Sequence, residues 1–340
     1  MKLETGLVAG SFEGYAAQAK KLEEAGYDAV ITPEAGHDPF LPLMTIAEHT
    51  ETLKLGTGVA IAFPRSPFVT AQMAWDLQRF SGGRFMLGLG TQVKGHNERR
   101  YSTAWPSPPG PRLREYILCL QAIFNTFQNN ERPSYKGDHY QFSLISPFFN
   151  PGPNTEGHIP IYISAVNKYN CRLVGELCDG IRMHPFNTPK YTQEVIIPAI
   201  KAGADKAERD FDEIDLVGGG FVITGETQED VEKAKGAVRQ QLSFYASTRV
   251  YHPVLAIHGW EETGQELFRY SMEGKWAEMA QGITDEMLEQ FAVIGTYDEI
   301  VPKIKDRYSG VLTTLAFNFG PGGVADPDRL AQMVGELKAL

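Results

Sequence analysis

The sequence predicts a single α/β domain over residues 1–340, folded as a (β/α)8 TIM barrel with insertions. Short apolar segments alternate eight times with amphipathic segments, which is the pattern of a parallel sheet with crossover helices. Some segments, such as Arg84–Thr91, are apolar on both faces, as parallel strands are. No dinucleotide-binding fingerprint divides the chain. A doubly wound sheet with an appended domain is the alternative.

The first half of the chain contains four of the strand–helix units. Apolar residues recur every three or four positions from residue 12 to residue 25, and Gly26 ends that helix. The third strand is rich in glycine, and the helix after it ends at Gly82 and Gly83. The strands are predicted at Leu3–Ala9, Asp28–Thr32, Leu53–Ile61 and Arg84–Thr91, and helices at 12–25, 41–50, 68–80 and 113–127.

The second half continues the same alternation, interrupted by insertions. Proline and glycine break the stretch near 94–112, turn signals and aromatics near 130–158 indicate a loop or hairpin, and residues 246–309 are mostly helical, with a third insertion near 246–290. Thr227 begins a long helix with a capping pattern. The strands are predicted at Pro160–Ala165, Gly180–His184, Ile214–Thr224 and Val311–Phe319, and the helices at Lys168–Leu177, Tyr191–Lys206, Thr227–Tyr245 and Asp328–Leu340.

Composition narrows the classes of partner. The formal net charge is −10, whereas nucleic acids and anionic membranes require a basic surface, so neither is expected as a partner. No apolar run is long enough to span a membrane, and the N-terminus has no signal-peptide pattern. The three cysteines predict a reducing compartment, and the protein is expected in the cytoplasm. The eight histidines form no metal-ligand motif, so no metal is expected.

Candidate site residues follow from the barrel itself, because such barrels place their active sites where strands end and βα loops begin. Glu34, His37 and His184 follow strands and are candidates for acid, base or hydrogen-bonding roles. Glycine is in surplus, because 34 of the 340 residues are glycine, whereas its usual share is about 7%. Four of these glycines lie in the third and fourth strands, where they either leave room for a flat ring or relieve packing: Gly56, Gly58, Gly88 and Gly90.

Other loops carry further candidates. Ser164–Asn167 precedes a helix, where it is either a phosphate-binding turn or an ordinary N-cap. Three cations after the fourth strand either meet an anionic group or form a solvated surface: Lys94, Arg99 and Arg100. Aromatic residues that can cover an apolar substrate are Trp105, Phe148, Phe149 and Trp260. P-loop and nucleophile-elbow motifs are absent, which excludes their chemistries.

A series of short motifs carries a resemblance to a known family. The motifs are LGTGVA at Leu55–Ala60, FPRSP at Phe63–Pro67, TAQ at Thr70–Gln72, SGGRFMLGLGT at Ser81–Thr91 and PIYISA at Pro160–Ala165. In these segments the sequence resembles the bacterial luciferase-like monooxygenase superfamily, and especially its branch of coenzyme F420-dependent oxidoreductases. The resemblance covers residues 1–185 strongly and 210–320 more loosely.

The resemblance implies a (β/α)8 barrel that binds a flavin or deazaflavin at its C-terminal rim. It implies a non-prolyl cis peptide between Gly58 and Val59, in a bulge behind the ring. The other implied cofactor contacts are Ala60, Gly90, Thr91 and Gln92 near the ring or side chain, and Ser164, Ala165 and Val166 at the phosphate. It further implies a homo-oligomer, dimer or larger, and a small-molecule substrate.

The sequence also departs from the patterns of its nearest branches. Ala35 and Gly36 follow Glu34 where flavin-using members often have two histidines, and Val93 stands where sugar-phosphate dehydrogenases have a carboxylate. The acid/base pair of those dehydrogenases is therefore not carried over, and Glu34 and His37 are the catalytic candidates. We expect an F420-dependent oxidoreductase that transfers a hydride to or from an organic substrate. The alternatives are an FMN-dependent monooxygenase, a barrel enzyme of another class such as a hydrolase or aldolase, and a non-catalytic flavin-binding barrel.

Overall fold

The protein is described by a computed structural model over residues 1–319, residue 324 and residues 326–339. The strands of this part of the chain are β1 (Lys2–Gly6), β2 (Ala29–Thr32), β3 (Lys54–Thr57), β4 (Ala60–Ile61), β5 (Phe85–Gly90), β6 (Tyr135–Lys136), β7 (Gln141–Phe142), β8 (Ile161–Ser164), β9 (Gly180–Arg182), β10 (Asp215–Gly218), β11 (Phe221–Gly225), β12 (Ala292–Thr296) and β13 (Thr314–Ala316).

The main sheet closes on itself. Its strand order is β3-β2-β1-β13-β10-β9-β8-β5-β4, every pairing is parallel, and β3 also pairs with β5. The interrupted pair β3 and β4 occupies one position, so eight strand positions complete the barrel. The predicted (β/α)8 fold is therefore confirmed, and the doubly wound alternative is wrong.

Helices surround the barrel and begin where the sequence offers side-chain caps. Ser11 accepts a hydrogen bond from the Gly14 amide at 3.1 Å, and Thr227 and Asp230 form a capping box. The helices are α1 (Phe12–Glu24), α2 (Leu41–His49), α3 (Pro67–Phe80), α4 (Lys94–Arg99), α5 (Pro109–Asn129), α6 (Lys168–Leu177), α7 (Pro189–Tyr191), α8 (Ile197–Lys206), α9 (Gln228–Ala246), α10 (His252–Ala256), α11 (Glu261–Met272), α12 (Trp276–Met279), α13 (Asp285–Phe291), α14 (Tyr297–Tyr308) and α15 (Pro327–Lys338).

The predicted seventh strand is wrong in extent. Residues 214–224 form two strands in two sheets, because β10 stays in the barrel while β11 pairs in parallel with β12. Residues 246–309, predicted as mostly helical, thus also contain a strand. We call the segment from β11 to β12, residues 221–296, the added layer. The helix predicted at Thr227–Tyr245 belongs to this added layer, and α14 connects it back to the last barrel strand. The insertion predicted near 246–290 lies inside a longer segment, 221–296.

The other insertions are closer to expectation. The region near 130–158 contains an antiparallel hairpin formed by β6 and β7. The region near 94–112 contains the short helix α4, which the proline and glycine residues obscured. The predicted last helix ends at Leu340, which lies outside the described residues. That residues 1–340 form one domain remains a prediction.

The buried core lies mainly between the barrel and its helices. It includes Leu3, Leu55, Leu87, Ile163 and Ile181, which point outward from five barrel strands. Inside the barrel a smaller cluster contains Ala29, Met86, Tyr162 and Val217. Within the described residues, no helix is long and apolar enough to cross a membrane.

Candidate active site

The barrel is open at the carboxyl ends of its strands. Glu4 on β1 forms an ion pair with Arg182 on β9, which is not adjacent in the sheet, so Glu4 points into the barrel. Gly6 and Val8 continue this inward face, since side chains alternate along a strand. Glu4 is 1% exposed, whereas Gly6 is exposed and Val8 is 62% exposed. The inner face therefore changes from closed core to accessible surface at the predicted rim.

Three of the predicted cofactor contacts meet at this rim. The peptide bond between Gly58 and Val59 is cis, as the resemblance implies, and it separates β3 from β4. A side chain placed on Gly90 would lie 2.7 Å from Val59 Cγ2 and 3.8 Å from Ser164 Cβ. Val59, Gly90 and Ser164, on three different segments, therefore line one surface. Ala60 is fully buried, so it lies behind this surface.

Each of the four strand glycines makes room for protein atoms. A Cβ on Gly88 would lie 2.0 Å from the Thr57 carbonyl oxygen, and one on Gly58 would lie 2.2 Å from Ile31. Gly56 and Gly90 are equally confined, by Met86 and Val59. Packing thus accounts for these glycines, and the interpretation that they also leave room for a flat ring stays a prediction. Their effect on a ligand is indirect, since Gly90 fixes where the Val59 side chain lies.

Replacing Gly90 with alanine is expected to displace Val59 and to lower the free energy of unfolding by about 1–3 kcal/mol, as overpacking does. Thermal unfolding of the variant and of a Gly36→Ala control measures this, because no atom lies within 4 Å of a Cβ on Gly36. Equal stability of the two variants would contradict the assigned packing role.

Glu34 is held by donors from two other loops. Its Oε2 accepts hydrogen bonds from the Ile61 amide and from Arg65 Nη1, both at 2.7 Å, and its Oε1 accepts from the Tyr101 hydroxyl at 3.3 Å. Arg65 also donates to Asp38 at 3.1 Å. The Glu34 side chain is 7% exposed, so this carboxylate is nearly sealed from solvent. Glu34 therefore joins the ends of β2 and β4 to the loop after α4.

The pKa values of two donors to Glu34, Arg65 and Tyr101, are both raised. Burial lowers the pKa of Arg65, but the hydrogen bond and charge of Glu34, together with Asp38, outweigh burial and leave that pKa above its usual value. Burial and the Glu34 charge raise the pKa of Tyr101. The arginine is thus a cation and the tyrosine a neutral hydroxyl, and both donate hydrogen bonds to Glu34.

His37, the second catalytic candidate, is exposed in the loop after β2. Its ring has no hydrogen-bond partner within the described part of the chain. Thr91 and Gln92, predicted to contact the cofactor, turn toward backbone: Thr91 Oγ1 donates to the Gln92 carbonyl at 3.1 Å, and Gln92 Oε1 accepts from the Val93 amide at 2.9 Å. Gln92 has a positive φ of 58°, and this turn orients the loop after β5.

The predicted phosphate turn precedes α6. Asn167 is the N-cap of that helix and accepts a hydrogen bond from the Asn170 amide at 2.9 Å, which confirms the N-cap interpretation. Ser164 and Val166 are half-buried, whereas Ala165 is 3% exposed. The Val166 carbonyl accepts from the Tyr191 hydroxyl at 3.1 Å. The first backbone amides of α6, which begins at Lys168, directly follow this turn in the chain.

The added layer contributes an aromatic wall to the same rim. His184, just after β9, packs against both Tyr245 and Tyr251, with ring centroids 4.5 and 4.7 Å away. Behind these rings, Phe186 stacks on Phe291 at 4.4 Å, and because each is 1% exposed this pair belongs to the core. Trp260 lies 6.3 Å from Phe291, and its role as a cover for an apolar substrate stays a prediction.

The remaining loop candidates are dispersed. Arg100 donates to the Ala35 carbonyl, so it ties two rim loops together. Lys94 pairs weakly with Glu98 along α4 at 3.9 Å and is exposed. Trp105 packs edge-on against Phe63 at 5.8 Å. Two further candidates, Phe148 and Phe149, are 89% and 64% exposed on the β6–β7 side.

Sequence reasoning missed the partners of Glu34. Arg65 lies in the FPRSP motif at the end of the third strand, so its predicted position at the rim could have marked it as a partner of Glu34. Tyr101 had no such signal, because it lies in a loop whose path is not evident from local pattern. Among the described residues, no three His, Cys, Asp or Glu side chains are grouped to hold a metal ion.

The chain was compared with known families and proteins. The profile of a family described as luciferase-like monooxygenase matches residues 2–314. Rv1360 of Mycobacterium tuberculosis is 40% identical over 86% of each chain. The 5,10-methylenetetrahydromethanopterin reductase of Archaeoglobus fulgidus is 29% identical, covering 93% of this chain and 92% of that one. Rv3520c of Mycobacterium tuberculosis, described as a putative coenzyme F420-dependent oxidoreductase, is 27% identical over 85% of each chain.

Solved structures give the same fold. The coenzyme F420-dependent tetrahydromethanopterin reductase from Methanopyrus kandleri superimposes with a TM-score of 0.78 and 21% identity, over 99% of this chain and 98% of that one. At this identity the likeness is evidence for the barrel fold alone.

Proposed function

The chain belongs to the luciferase-like monooxygenase family, and from that premise we propose that it is an F420-dependent oxidoreductase. It transfers a hydride between the deazaflavin and a small organic substrate. Members of the family are oxidoreductases or monooxygenases, and the similarity to the Archaeoglobus reductase and to Rv3520c supports the deazaflavin branch. A homo-oligomer in the cytoplasm is part of the same proposal.

The open rim of the barrel is the observation that carries this proposal. Its inner surface is built by small or apolar groups, namely Gly6, Val8, Val59, Gly90 and Ser164, and Val8 is largely exposed. An apolar surface left exposed at the catalytic end of a barrel fits the face of a flat ring. The ring supplies a carbon that accepts or donates a hydride, and the protein supplies binding and orientation.

The proposed contacts divide by part of the cofactor. Gly58, Val59 and Ala60 lie behind the ring, and Gly90, Thr91 and Gln92 lie beside it or its side chain. Ser164, Ala165 and Val166, together with the first amides of α6, take the phosphate, since helix N-termini favour anions.

The two catalytic candidates receive different roles. Glu34 accepts hydrogen bonds on both oxygens, so we assign it to positioning the segment around Ile61. His37 is exposed beside it and remains the candidate for moving a proton to or from the substrate. An imidazole suits this role because its two ring nitrogens can accept and donate a proton.

Titration of the purified protein with F420 and, separately, with FMN tests the cofactor proposal. We expect F420 fluorescence to be quenched saturably, with FMN binding at least tenfold more weakly. The Gly90→Ala variant should bind F420 more weakly than the Gly36→Ala control, because only the first displaces Val59.

The opposite preference would identify the FMN-dependent monooxygenase instead. Binding of neither compound would favour a barrel enzyme of another class. Binding of F420 with no turnover on any alcohol or carbonyl compound would favour the non-catalytic flavin-binding barrel.

A further inference from the structure

His184 points toward the open end of the barrel. Arg182, two residues earlier on β9, points inward to its partner Glu4. Met183 between them points outward, where its sulfur lies 3.6 Å from Asn187 Nδ2 and 3.8 Å from Thr192 Oγ1. Side chains alternate along an extended chain, so His184 lies on the inner side, one layer above Arg182.

The hydrogen bond at one ring nitrogen fixes the tautomer of His184. The Phe186 amide donates to His184 Nδ1 at 3.0 Å, so Nδ1 is an acceptor and carries no proton. In a neutral imidazole the proton then lies on Nε2. Nε2 has no hydrogen-bond partner among residues 1–319, 324 and 326–339. It is also not one of the side-chain nitrogen and oxygen atoms that are buried without a hydrogen bond. It is therefore a solvent-reaching donor.

The surroundings keep this ring uncharged. Burial alone lowers the pKa of His184 to about 4, so no charged side chain acts on it appreciably. Two cations are engaged elsewhere: Lys190 in α7 donates to the Ile257 carbonyl at 2.8 Å, and the Arg249 guanidinium lies 4.1 Å from the Phe268 ring. The donor at Nε2 thus remains in place throughout the physiological pH range.

The flanking rings determine what else a ligand would meet. Tyr245 and Tyr251 both pack against the imidazole, lie next to each other with ring centroids 6.1 Å apart, and are themselves half-buried. Burial raises the pKa of Tyr251 to about 12, so its phenol is neutral as well. A ligand here meets aromatic surface and neutral donors. A charged ligand would lose hydration without gaining a counter-ion.

We propose that His184 is a substrate-binding residue, and that its Nε2–H donates to the carbonyl or hydroxyl oxygen of an uncharged, largely apolar substrate. This rests on the proposed function, because the oxygen of an alcohol or carbonyl compound is bonded to the carbon that exchanges the hydride. The wall of Tyr245 and Tyr251 takes the apolar part of that substrate.

Acetophenone, a neutral aromatic ketone, and benzoate, an anion of similar size, are suitable probes. Nitrogen-15 spectra of histidine-labelled protein at pH 7 should show His184 protonated on Nε2, and acetophenone should shift that resonance saturably. His184→Phe should weaken acetophenone binding about three- to tenfold, the usual loss for one hydrogen bond. His184→Gln, which retains a donor, should restore part of it, and benzoate should bind at least tenfold more weakly than acetophenone.

His139→Phe, on the exposed β6–β7 hairpin, is the control and should leave acetophenone binding unchanged. A proton on Nδ1, tighter binding of benzoate, or acetophenone affinity equal in the wild type and His184→Phe would overturn the proposal. So would the absence of any acetophenone binding at millimolar concentration. These measurements use protein without added cofactor, so failure to bind F420 would refute the proposed function while leaving the His184 result intact.

Discussion

Replacing Glu34 with alanine is expected to weaken cofactor binding at least tenfold and to lower the free energy of unfolding by about 2–3 kcal/mol. The change leaves the Ile61 amide without its acceptor and Arg65, with 17% of its side chain exposed, without its closest carboxylate. Hydrogen bonds to charged groups contribute about 1.5–3 kcal/mol, and an unpaired, partly buried cation adds to the loss. The segment around Ile61 is next to Val59, so its displacement reaches the cofactor surface.

Denaturant unfolding and F420 titration measure the two effects. Glu34→Gln keeps an acceptor for Ile61 but removes the charge that faces Arg65, so intermediate losses are expected. Asp38→Asn is the matched control, since Asp38 contacts the same arginine but is 37% exposed. If Glu34→Ala bound cofactor as the wild type does, Glu34 would have no positioning role.

Replacing Arg182 with methionine is expected to cost about 3–5 kcal/mol of stability, since it leaves Glu4 charged inside the barrel without a partner. Glu4 is 1% exposed and Arg182 is 6% exposed. The guanidinium also lies 4.9 Å from the Tyr162 ring, which the methionine side chain would only partly replace. Denaturant unfolding monitored by tryptophan fluorescence measures the loss.

Replacing both partners separates the ion pair from its packing. The double variant Glu4→Met, Arg182→Met should recover most of the stability, because two apolar side chains carry no uncompensated charge. Lys233→Met breaks an exposed pair with Glu229 and should leave the midpoint unchanged. A loss in Arg182→Met no larger than in Lys233→Met would show that the Glu4 charge is not stabilised by this pair.

Most of the barrel could be predicted from local pattern. Strands such as β5 are apolar on both faces, and helices such as α1 and α9 have serine or threonine caps that the sequence displays directly. These signals act over a few residues, so they can be recognised in the sequence without knowledge of the tertiary structure. The strand order then follows, because consecutive parallel units with helical crossovers place neighbouring strands side by side.

The added layer could not be predicted in the same way. β11 and β12 are paired residue by residue from Phe221 with Ala292 to Gly225 with Thr296, across some seventy intervening residues that are largely helical. Most of β11 lay in the predicted seventh strand, but β12 is a short apolar run between helices, which periodicity alone cannot distinguish from helix. Its existence depends on a partner strand that folding brings to it.

The sequence by itself determined the barrel, the family resemblance and the rim loops that carry Glu34, His37, Ser164 and His184. The tertiary structure alone decided what these residues contact and how exposed they are. It closes Glu34 into a network with Arg65 and Tyr101, leaves His37 exposed, and brings Tyr245 and Tyr251 around His184. The physical reason is that position on a strand end depends on local periodicity, whereas burial and hydrogen-bond partners come from segments distant in the chain.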